Sequence, residues 1–469
     1  MKLFIHNLQR ERWLYSSFTK WFFPTGLALV SIMVSMVRAG PNDVPSNGIY
    51  RGVYIDTFYP EPKFGTGITI DKEGNVYFLG GPDWLASRFA SVVSKYDKNG
   101  KKVWRRNLKV RGSSESLAKA FTVDSNGNFY VAVTVPNRKG DYICTTIKLN
   151  KNGKKLWQAR YNVTPKSWFE PRAMAVDSKN NVYIAGEFML EPGFKSSDFD
   201  ILEPLREHIS LSLIVKYDTN GRQLYSFSSA PEEWCEAEDI AVDETGNFYV
   251  AECLDGKELD TVKFDPNDKP LWRARWAPNR EAISYISSAD ILRVDSGGSV
   301  YVVGDSWGTK DEYTEMVTIK YDSNGHQKWE VHYETSGNKW IFPRSMVLAE
   351  AGSIYILANE SPKTKSNRFS DYSSAASDEI ERMKKREFVI VKYDSIGKEL
   401  WRARHKDPEG REIGSCYLAM DGKDNVYVIG SVLLEPLVIM YDANGKQQWV
   451  RQLKNESELA KFLSGLKRL

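Results

Sequence analysis

The side chains best suited to chemistry in this sequence are acidic and basic residues that recur at one position of a repeat. Five residues before a repeated acidic turn residue, the chain carries Thr66, Lys119, Arg172, Glu238, Asp290, Ser345 and Cys416. Carboxylates such as Glu238 and Asp290 could act as general acid and base or hold a divalent cation, and Arg172 could polarise a substrate. Paired with the basic residues, the same carboxylates would form a polar ligand site or merely line a wetted channel.

Established catalytic and metal-binding signatures are absent from the sequence. The chain has no nucleophile elbow, phosphate-binding loop, HExxH pair or dinucleotide fingerprint, and its four cysteines lack the CxxC spacing of a zinc site. We therefore assign no catalytic residue, metal ligand or cofactor, with a divalent cation at the ring carboxylates as the alternative. A disulfide between Cys235 and Cys253 is chemically allowed in an exported protein, because both fall on one predicted hairpin; two free thiols are the other outcome.

Two half-motifs recur seven times after residue 60 and indicate which elements carry these side chains. The first runs from an acidic residue through a tight turn to Asn or Ser and then Tyr, and it recurs every 52 to 71 residues. Its opening residues are Asp71, Asp124, Asp177, Asp243, Asp295, Glu350 and Asp421. The second half-motif is Lys-Tyr-Asp, then Asn-Gly, then a large ring at a fixed distance from the turn. Those rings are Trp104, Trp157, Tyr225, Trp272, Trp329, Trp401 and Trp449.

Each half-motif predicts a β-hairpin. Asn-Gly supplies the positive φ of a tight turn, the preceding Asp accepts a backbone N–H, and the flanking residues alternate with the period of a strand. Two hairpins make a four-stranded sheet, which buries both faces only when packed between other copies. We predict an all-β fold, a seven-bladed β-propeller of four-stranded antiparallel blades over residues 40–453, opening at about 64, 117, 170, 236, 288, 343 and 414. The large rings then dock between blades.

The two ends of the repeat region are expected to close the ring. The segment Gly52–Phe58 resembles a fourth strand, and we expect it to supplement, replace or extend the edge of blade seven, which removes an exposed edge. Residues 454–469 carry Leu459, Phe462, Leu463 and Leu466 at helical spacing, which predicts a short amphipathic helix against the barrel side.

The first 39 residues are predicted to direct export. Basic residues precede the apolar helical run Trp21–Val37, and a small residue, Ala39, follows. This pattern fits a cleaved signal peptide, with an uncleaved membrane anchor as the alternative, and it favours a periplasmic or extracellular location. Without residues 1–39, which hold five Lys/Arg and one Glu, the formal charge changes from +3 to −1. That balance argues against a nucleic-acid partner, and a membrane contact is expected only if the anchor is retained.

Long loops and aromatic residues collect on one predicted face of the propeller, which we call the loop-rich face. Insertions expand blade three over residues 187–211 and blade six over 361–387. In the same joins Trp168, Trp234 and Trp340 are not explained by strand alternation. Glu252 is also unusual, because the other blades carry Gly, Ala or Val there. With Lys119, Arg172, Glu238 and Asp290 these residues form our candidate ligand-binding set.

The two half-motifs resemble the bacterial seven-bladed β-propeller repeat family, found mostly in exported proteins of unknown function. The resemblance covers about residues 50 to 453 and implies a fold but no shared activity. The first half also looks like NHL repeats, and the second like the tryptophan-docking motif of quinone-dependent propellers. Those enzymes have eight blades and adjacent cysteines at the cofactor, which this chain lacks, so the likeness is one of packing.

Three functions are compatible with these residues. The first is a non-enzymatic exported propeller that binds a protein or a glycan through its loop-rich face. The second is a propeller-type hydrolase or lyase with a carboxylate or metal site at the central funnel. The third is a purely structural component of the cell envelope. Convergence of Glu238 and Asp290 around one open position would favour the enzyme, whereas their pairing with Lys119 and Arg172 would favour binding.

Overall fold

Tight turns built on aspartate define the hairpins of the fold. In blade one, Asp71 Oδ1 accepts hydrogen bonds from the backbone N–H groups of Glu73 at 3.1 Å and Asn75 at 2.8 Å. Its Oδ2 accepts from the Tyr77 hydroxyl at 3.0 Å, and Gly74 takes a φ of 82° that favours glycine. In six blades the recurring tyrosine thus holds the turn acid from within the following strand. In blade six, Tyr355 instead donates to the Asp424 carbonyl of blade seven at 3.4 Å.

A computed structural model describes residues 67–466, except for 72, 81–90, 112, 114–115, 137–141, 162–166, 191–208, 230–234, 279–282, 309–313, 336–338, 350, 363–385, 412 and 433–434. The signal or anchor segment 1–39, its predicted N-terminal helix, and the strand predicted at Gly52–Phe58 lie outside these residues. No helix within the described ranges is long and apolar enough to cross a membrane.

Seven sheets of four strands are formed, and each sheet pairs its strands in chain order. Blades one to three contain β1 Gly67–Ile70, β2 Val76–Gly80, β3 Val92–Tyr96, β4 Lys102–Asn107; β5 Leu117–Val123, β6 Phe129–Pro136, β7 Tyr142–Leu149, β8 Lys155–Tyr161; β9 Ser167–Val176, β10 Val182–Leu190, β11 Ile209–Tyr217 and β12 Gln223–Phe227. Blades four and five contain β13 Cys235–Val242, β14 Phe248–Leu254, β15 Glu258–Phe264, β16 Pro270–Trp276; β17 Ile283–Val294, β18 Val300–Gly308, β19 Thr314–Tyr321 and β20 Gln327–Glu334. Blades six and seven contain β21 Lys339–Leu348, β22 Ile354–Pro362, β23 Glu387–Tyr393, β24 Glu399–His405; β25 Ile413–Met420, β26 Val426–Val432, β27 Glu435–Tyr441 and β28 Gln447–Gln452. One helix, α1 Glu456–Leu463, follows. The predicted seven-bladed propeller with a short C-terminal helix is confirmed.

Neighbouring blades are joined by a repeated contact between a ring, a lysine and the next turn. Trp157 Nε1 donates to the carbonyl of Thr219 at 2.9 Å, and Lys148 Nζ donates to the same carbonyl at 3.2 Å while lying 4.8 Å from the Tyr130 ring centroid. A Cβ on Gly221 would lie 2.6 Å from the indole, so only glycine admits the ring. Four other indoles make the equivalent bond at 2.9–3.0 Å: Trp104 to Lys151, Trp272 to Ser323, Trp329 to Ser395 and Trp401 to Ala443.

The contact between blades three and four is a coupled variant of this arrangement. Tyr225 replaces the tryptophan, and Asp268 replaces the glycine at a φ of 71°. The tyrosine hydroxyl donates to the Asp268 carboxylate, and Lys216 still reaches the Pro266 carbonyl at 3.2 Å. The smaller ring leaves room for a Cβ, so the two departures from the repeat compensate each other.

Helix α1 fills the seam between blades seven and one. Leu459 and Leu463 are buried in one apolar cluster with residues of both blades, including Phe78 of blade one. Trp449 packs edge-on against Phe462 of α1, with ring centroids 5.9 Å apart. At this seam the indole of blade seven therefore packs against a helix, whereas the other interblade indoles donate to a turn of the next blade.

Polar contacts fix α1 to blade one. The Asn455 side chain caps the helix by accepting from the backbone N–H of Ser457 at 3.0 Å. Ser457 Oγ donates to the Gly100 carbonyl, and Ser464 Oγ donates to the Gly74 carbonyl at 2.8 Å. Both glycines belong to the tight turns of blade one, so α1 holds the two turns at which the ring must close.

In blade six the turn residue is Ala349, not Glu350. Ala349 N donates to the Ser353 carbonyl at 2.8 Å, and Gly352 N donates to the Ala349 carbonyl at 3.0 Å. Blade one has the same pattern at Asp71. The turn thus has its full length with alanine at the acid position, and counting from Glu350 is off by one residue.

The disulfide allowed by the sequence is not formed. Cys144, Cys235 and Cys253 are buried thiols. In the register of blade four, Cys235 lies opposite Leu254 while Cys253 lies opposite Glu236. Because side chains alternate along a strand, the two thiols point to opposite faces of the sheet.

We predict that Tyr225→Trp destabilises the protein by about 1–3 kcal/mol, because the larger ring overpacks against the Asp268 side chain. The double variant Tyr225→Trp/Asp268→Gly restores the arrangement of the other blades and should recover most of that loss. Urea unfolding followed by tryptophan fluorescence measures both changes. Equal losses in the single and double variants would show that the two positions are not coupled.

Shortening Leu463 should weaken the closing seam. Leu463→Ala removes a fully buried side chain from the α1 cluster and is expected to cost about 2–5 kcal/mol of unfolding free energy. Lys461→Ala, at an exposed position of the same helix, should change it by less than about 0.5 kcal/mol. Similar small effects from both substitutions, measured by denaturant titration, would contradict a closing role for α1.

Candidate functional site

The first strands of the blades surround the propeller axis. Each contacts the first strand of the following blade, in the pairs β1–β5, β5–β9, β9–β13, β13–β17, β17–β21 and β21–β25. In a propeller these innermost strands enclose the central channel. Side chains that leave the first strands on their inner side therefore share one opening.

A β-bulge or similar register irregularity interrupts each first strand from blade two onward. The register shifts occur between Ala118 and Ala120, Ala173 and Pro171, Ala237 and Asp239, Ser288 and Ile291, Pro343 and Ser345, and Gly414 and Tyr417. An unpaired bulge residue turns out of the ladder. The residues skipped include Lys119, Arg172, Glu238, Asp290 and Arg344, which we call the bulge ring.

The residues predicted five positions before each turn residue coincide with the bulge ring in blades two to five. In blade six the bulge residue is Arg344, because Ala349 is the turn residue. Ser345 is buried instead, and its Oγ accepts from the backbone N–H of Leu418 in blade seven at 3.1 Å. Cys416 also lies in a bulge, but its side chain and all of Thr66 fall outside the described part of the chain.

Arg172 lies at the centre of a cluster of carboxylates that crosses the seam between blades three and four. Its guanidinium contacts Glu187 at 3.0 Å, Glu238 at 3.2 Å and Glu236 at 3.4 Å. Burial lowers the pKa of Arg172, but the three carboxylates outweigh it and the net direction is upward. One cation thus faces three potential anions.

Because carboxyl groups outnumber cations in this cluster, the pKa of Glu238 is perturbed. Burial raises the pKa of this carboxyl to about 8, Arg172 opposes the rise, and Glu236, Asp290 and Glu187 add to it. A shared guanidinium cannot hold all its carboxyl neighbours ionised in a poorly solvated site. The pKa of Glu238 therefore lies close to neutral pH.

Lys119 forms a separate pair. Its ammonium lies 2.6 Å from a Glu170 carboxylate oxygen, with both side chains partly open to solvent. Exposed pairs of this kind contribute little to stability. The two predicted basic residues therefore contact carboxylates, but Lys119 contacts Glu170 and not Glu238 or Asp290.

Glu252 does not belong to the bulge ring and lies at the seam between blades three and four. The residue is fully buried, and its Oε1 accepts from Ser212 Oγ at 2.6 Å and from Ser229 Oγ. Burial raises the pKa of Glu252. Its place beside serine hydroxyls indicates a role in joining two blades.

Trp168 and Trp340 were expected in the joins between blades, but they lie near the start of the strands β9 and β21. Trp168 and Trp340 are both partly buried, and each lies four residues before a bulge arginine. Trp234 lies outside the described residues.

Two further buried carboxylates were not predicted: Glu315 lies inside blade five and Glu360 lies at the seam between blades five and six. Glu315 is buried, and its Oε2 lies 3.0 Å from His332 Nδ1. Glu360 accepts from the Tyr333 hydroxyl at 2.5 Å and from Lys339 at 2.9 Å. These residues lie outside the two half-motifs that all blades share, so comparison of the repeats did not identify them. Among the described residues no three His, Cys, Asp or Glu side chains form a group that could hold a metal ion.

Comparison with known proteins assigns no family to this chain. No protein-family model matches the chain, and no curated protein matches it. Solved structures similar to it include prolyl oligopeptidase B from Galerina marginata, 13% identical over 84% of this chain and 51% of that one, with a TM-score of 0.46. A puromycin hydrolase is 11% identical over 92% and 56%, with a TM-score of 0.46. The polysaccharide lyase Uly1 is 10% identical over 72% and 81%, with a TM-score of 0.44. This chain spans about half the length of the two hydrolases.

The raised pKa of Glu238 makes a prediction about stability. Between the ordinary carboxyl pKa of about 4.5 and about 8 the folded protein binds more protons than the unfolded chain, so this group lowers stability as pH rises. Glu238→Gln should flatten that decline; one pKa unit corresponds to about 1.4 kcal/mol. Urea unfolding at pH 5, 6.5 and 8 measures the difference. An unchanged slope in the variant would show that Glu238 titrates normally.

Proposed function

We propose that the protein is an exported β-propeller that binds a protein or a glycan through its loop-rich face without transforming it. Export is supported by the basic leader and the apolar run Trp21–Val37. The chain is then released after Ala39 or held at the membrane by that segment. The observation that carries the binding function is the pairing of Lys119 and Arg172 with nearby carboxyl groups.

Paired charges suit recognition better than catalysis. Arg172 contacts Glu238 at 3.2 Å and Lys119 contacts Glu170 at 2.6 Å, so both basic residues are held by nearby carboxyl groups. Charges fixed on a rigid scaffold select a partner by electrostatic complementarity. A reacting centre would instead direct such groups at one open position.

The asymmetry of the two faces supports the same function. On one face the connections are tight turns such as the one between β11 and β12. On the other, β10 ends at Leu190 and β11 starts at Ile209, while β22 ends at Pro362 and β23 starts at Glu387. Long connections carried on a rigid fold are common places for binding.

A hydrolase or lyase at the central funnel is the second candidate, favoured by the pKa of about 8 at Glu238. A carboxyl that exchanges its proton near neutral pH is suited to general acid–base catalysis. Arg172 beside it would polarise a substrate, and Asp290 would join it if a divalent cation takes part.

Capture of the partner tests the binding function. Full-length protein is cross-linked in its native cell and recovered from the exported and membrane fractions. Variants lacking residues 191–208 or 363–385 are compared with Ile396→Ser, an exposed turn residue of the opposite face. We expect one deletion to lose the partner and Ile396→Ser to retain it, with all variants melting as the parent does.

Two results would contradict this function. A partner retained by both deletions and lost in Ile396→Ser would place binding on the opposite face. Turnover of a captured glycan or protein that Glu238→Gln abolishes would identify the hydrolase or lyase.

A further inference from the structure

Two first strands carry the same short pattern at the channel. Trp168 and Arg172 in β9 have the spacing of Trp340 and Arg344 in β21, and a proline precedes each arginine. In β21 the residues Ile341, Pro343 and Ser345 are buried, whereas Trp340, Phe342 and Arg344 keep accessible surface. The tryptophan and arginine of each copy therefore lie on the open side of a strand beside the axis.

The two copies differ in the charge around the arginine. Arg172 is surrounded by three carboxylates, and the residue between it and Trp168 on the open side is Glu170. Arg344 forms no ion pair with any described residue. Its guanidinium carbon lies 5.6 Å from the centroid of the Phe342 ring, a cation–π arrangement. Arg344 is thus an exposed cation, held over an aromatic ring and available to an anion.

We propose that Trp340, Phe342 and Arg344 form a subsite for an acidic glycan. The guanidinium would bind a sugar carboxylate through two parallel hydrogen bonds, and the aromatic rings would cover the apolar C–H face of the neighbouring sugar. This inference rests on the proposed binding function and names its ligand class. From Trp340 to Arg344 the strand extends about 13 Å, enough for a short oligosaccharide.

The position of the subsite favours a glycan over a peptide. An extended peptide commonly adds to a free strand edge through backbone hydrogen bonds. β21 is the innermost strand of its sheet and pairs only with β22, but it passes close to the first strands of both neighbouring blades. Those strands crowd its inner edge, so we expect recognition through side chains, which suits sugar rings and single acid groups.

Neighbouring acids limit the charge density of the ligand. Glu236 and Glu238 in blade four and Asp290 in blade five lie on the same ring of strands as Arg344. A glycan with an acid group on every sugar would bring anions towards these carboxylates, at an electrostatic cost. The expected ligand alternates acidic and neutral sugars.

Binding measurements with defined oligosaccharides test this subsite. Isothermal titration with the full chain would use hyaluronan hexasaccharide, which alternates uronic acid and neutral sugar, hexagalacturonate, which is acidic throughout, and neutral chitohexaose. We expect hyaluronan to bind most tightly and chitohexaose at least tenfold more weakly. Arg344→Gln should weaken hyaluronan binding at least tenfold.

Arg451→Gln is the matched control. Arg451 is an exposed arginine whose guanidinium carbon lies 5.0 Å from the Trp449 ring centroid on an outer strand, so its loss should leave hyaluronan binding unchanged. Equal binding of the three oligosaccharides, equal loss in both variants, or no binding of any would overturn the glycan subsite. If partner capture meanwhile recovers a protein at the loop-rich face, the binding function stands and only the ligand class is wrong.

Discussion

The packing of the blades depends on a contact, found at four seams, in which one turn carbonyl oxygen receives two donors from the preceding blade. An indole N–H and a lysine ammonium converge on that oxygen, and the lysine also lies over the recurring tyrosine of its own blade. Turn geometry and blade packing are therefore parts of one network. Each blade positions the next, and the strict spacing from turn to ring reflects this shared geometry.

The seventh blade shows what happens where no such carbonyl is used. At the position of the lysine it carries Met440, opposite Tyr427, and its indole packs on Phe462 of α1. An apolar side chain suits this place because the helix presents apolar residues there. Blade seven has thus exchanged a polar interblade contact for an apolar one, and the substitution is visible in the sequence.

Much of the fold could be predicted because its determinants are local. Asn-Gly turns and alternating strands define the blades, and the helical spacing of Leu459 and Leu463 predicts α1. The sequence did not reveal that α1 receives Trp449, because that contact joins residues of one motif to residues outside it. Blade six was misnumbered because Ala349 replaces the expected acid and Glu350 stands beside it.

The candidate site was less predictable for related reasons. Counting from the turns located Lys119, Arg172, Glu238 and Asp290, since a bulge occurs at a constant distance along each strand. Which charges pair depends on how neighbouring blades pack. Glu170 and Glu236 do not stand out when equivalent positions of the repeats are compared. Arg344 was missed through the error at Ala349.

Helix α1 also sets an order of events during synthesis. Its residues follow all seven blades, so the polypeptide can assemble blade upon blade from the amino-terminal side while the last seam is still open. The last seam can close only after the helix has been made and has left the ribosome. Until then the exposed flanks of the first and last sheets need protection from other chains.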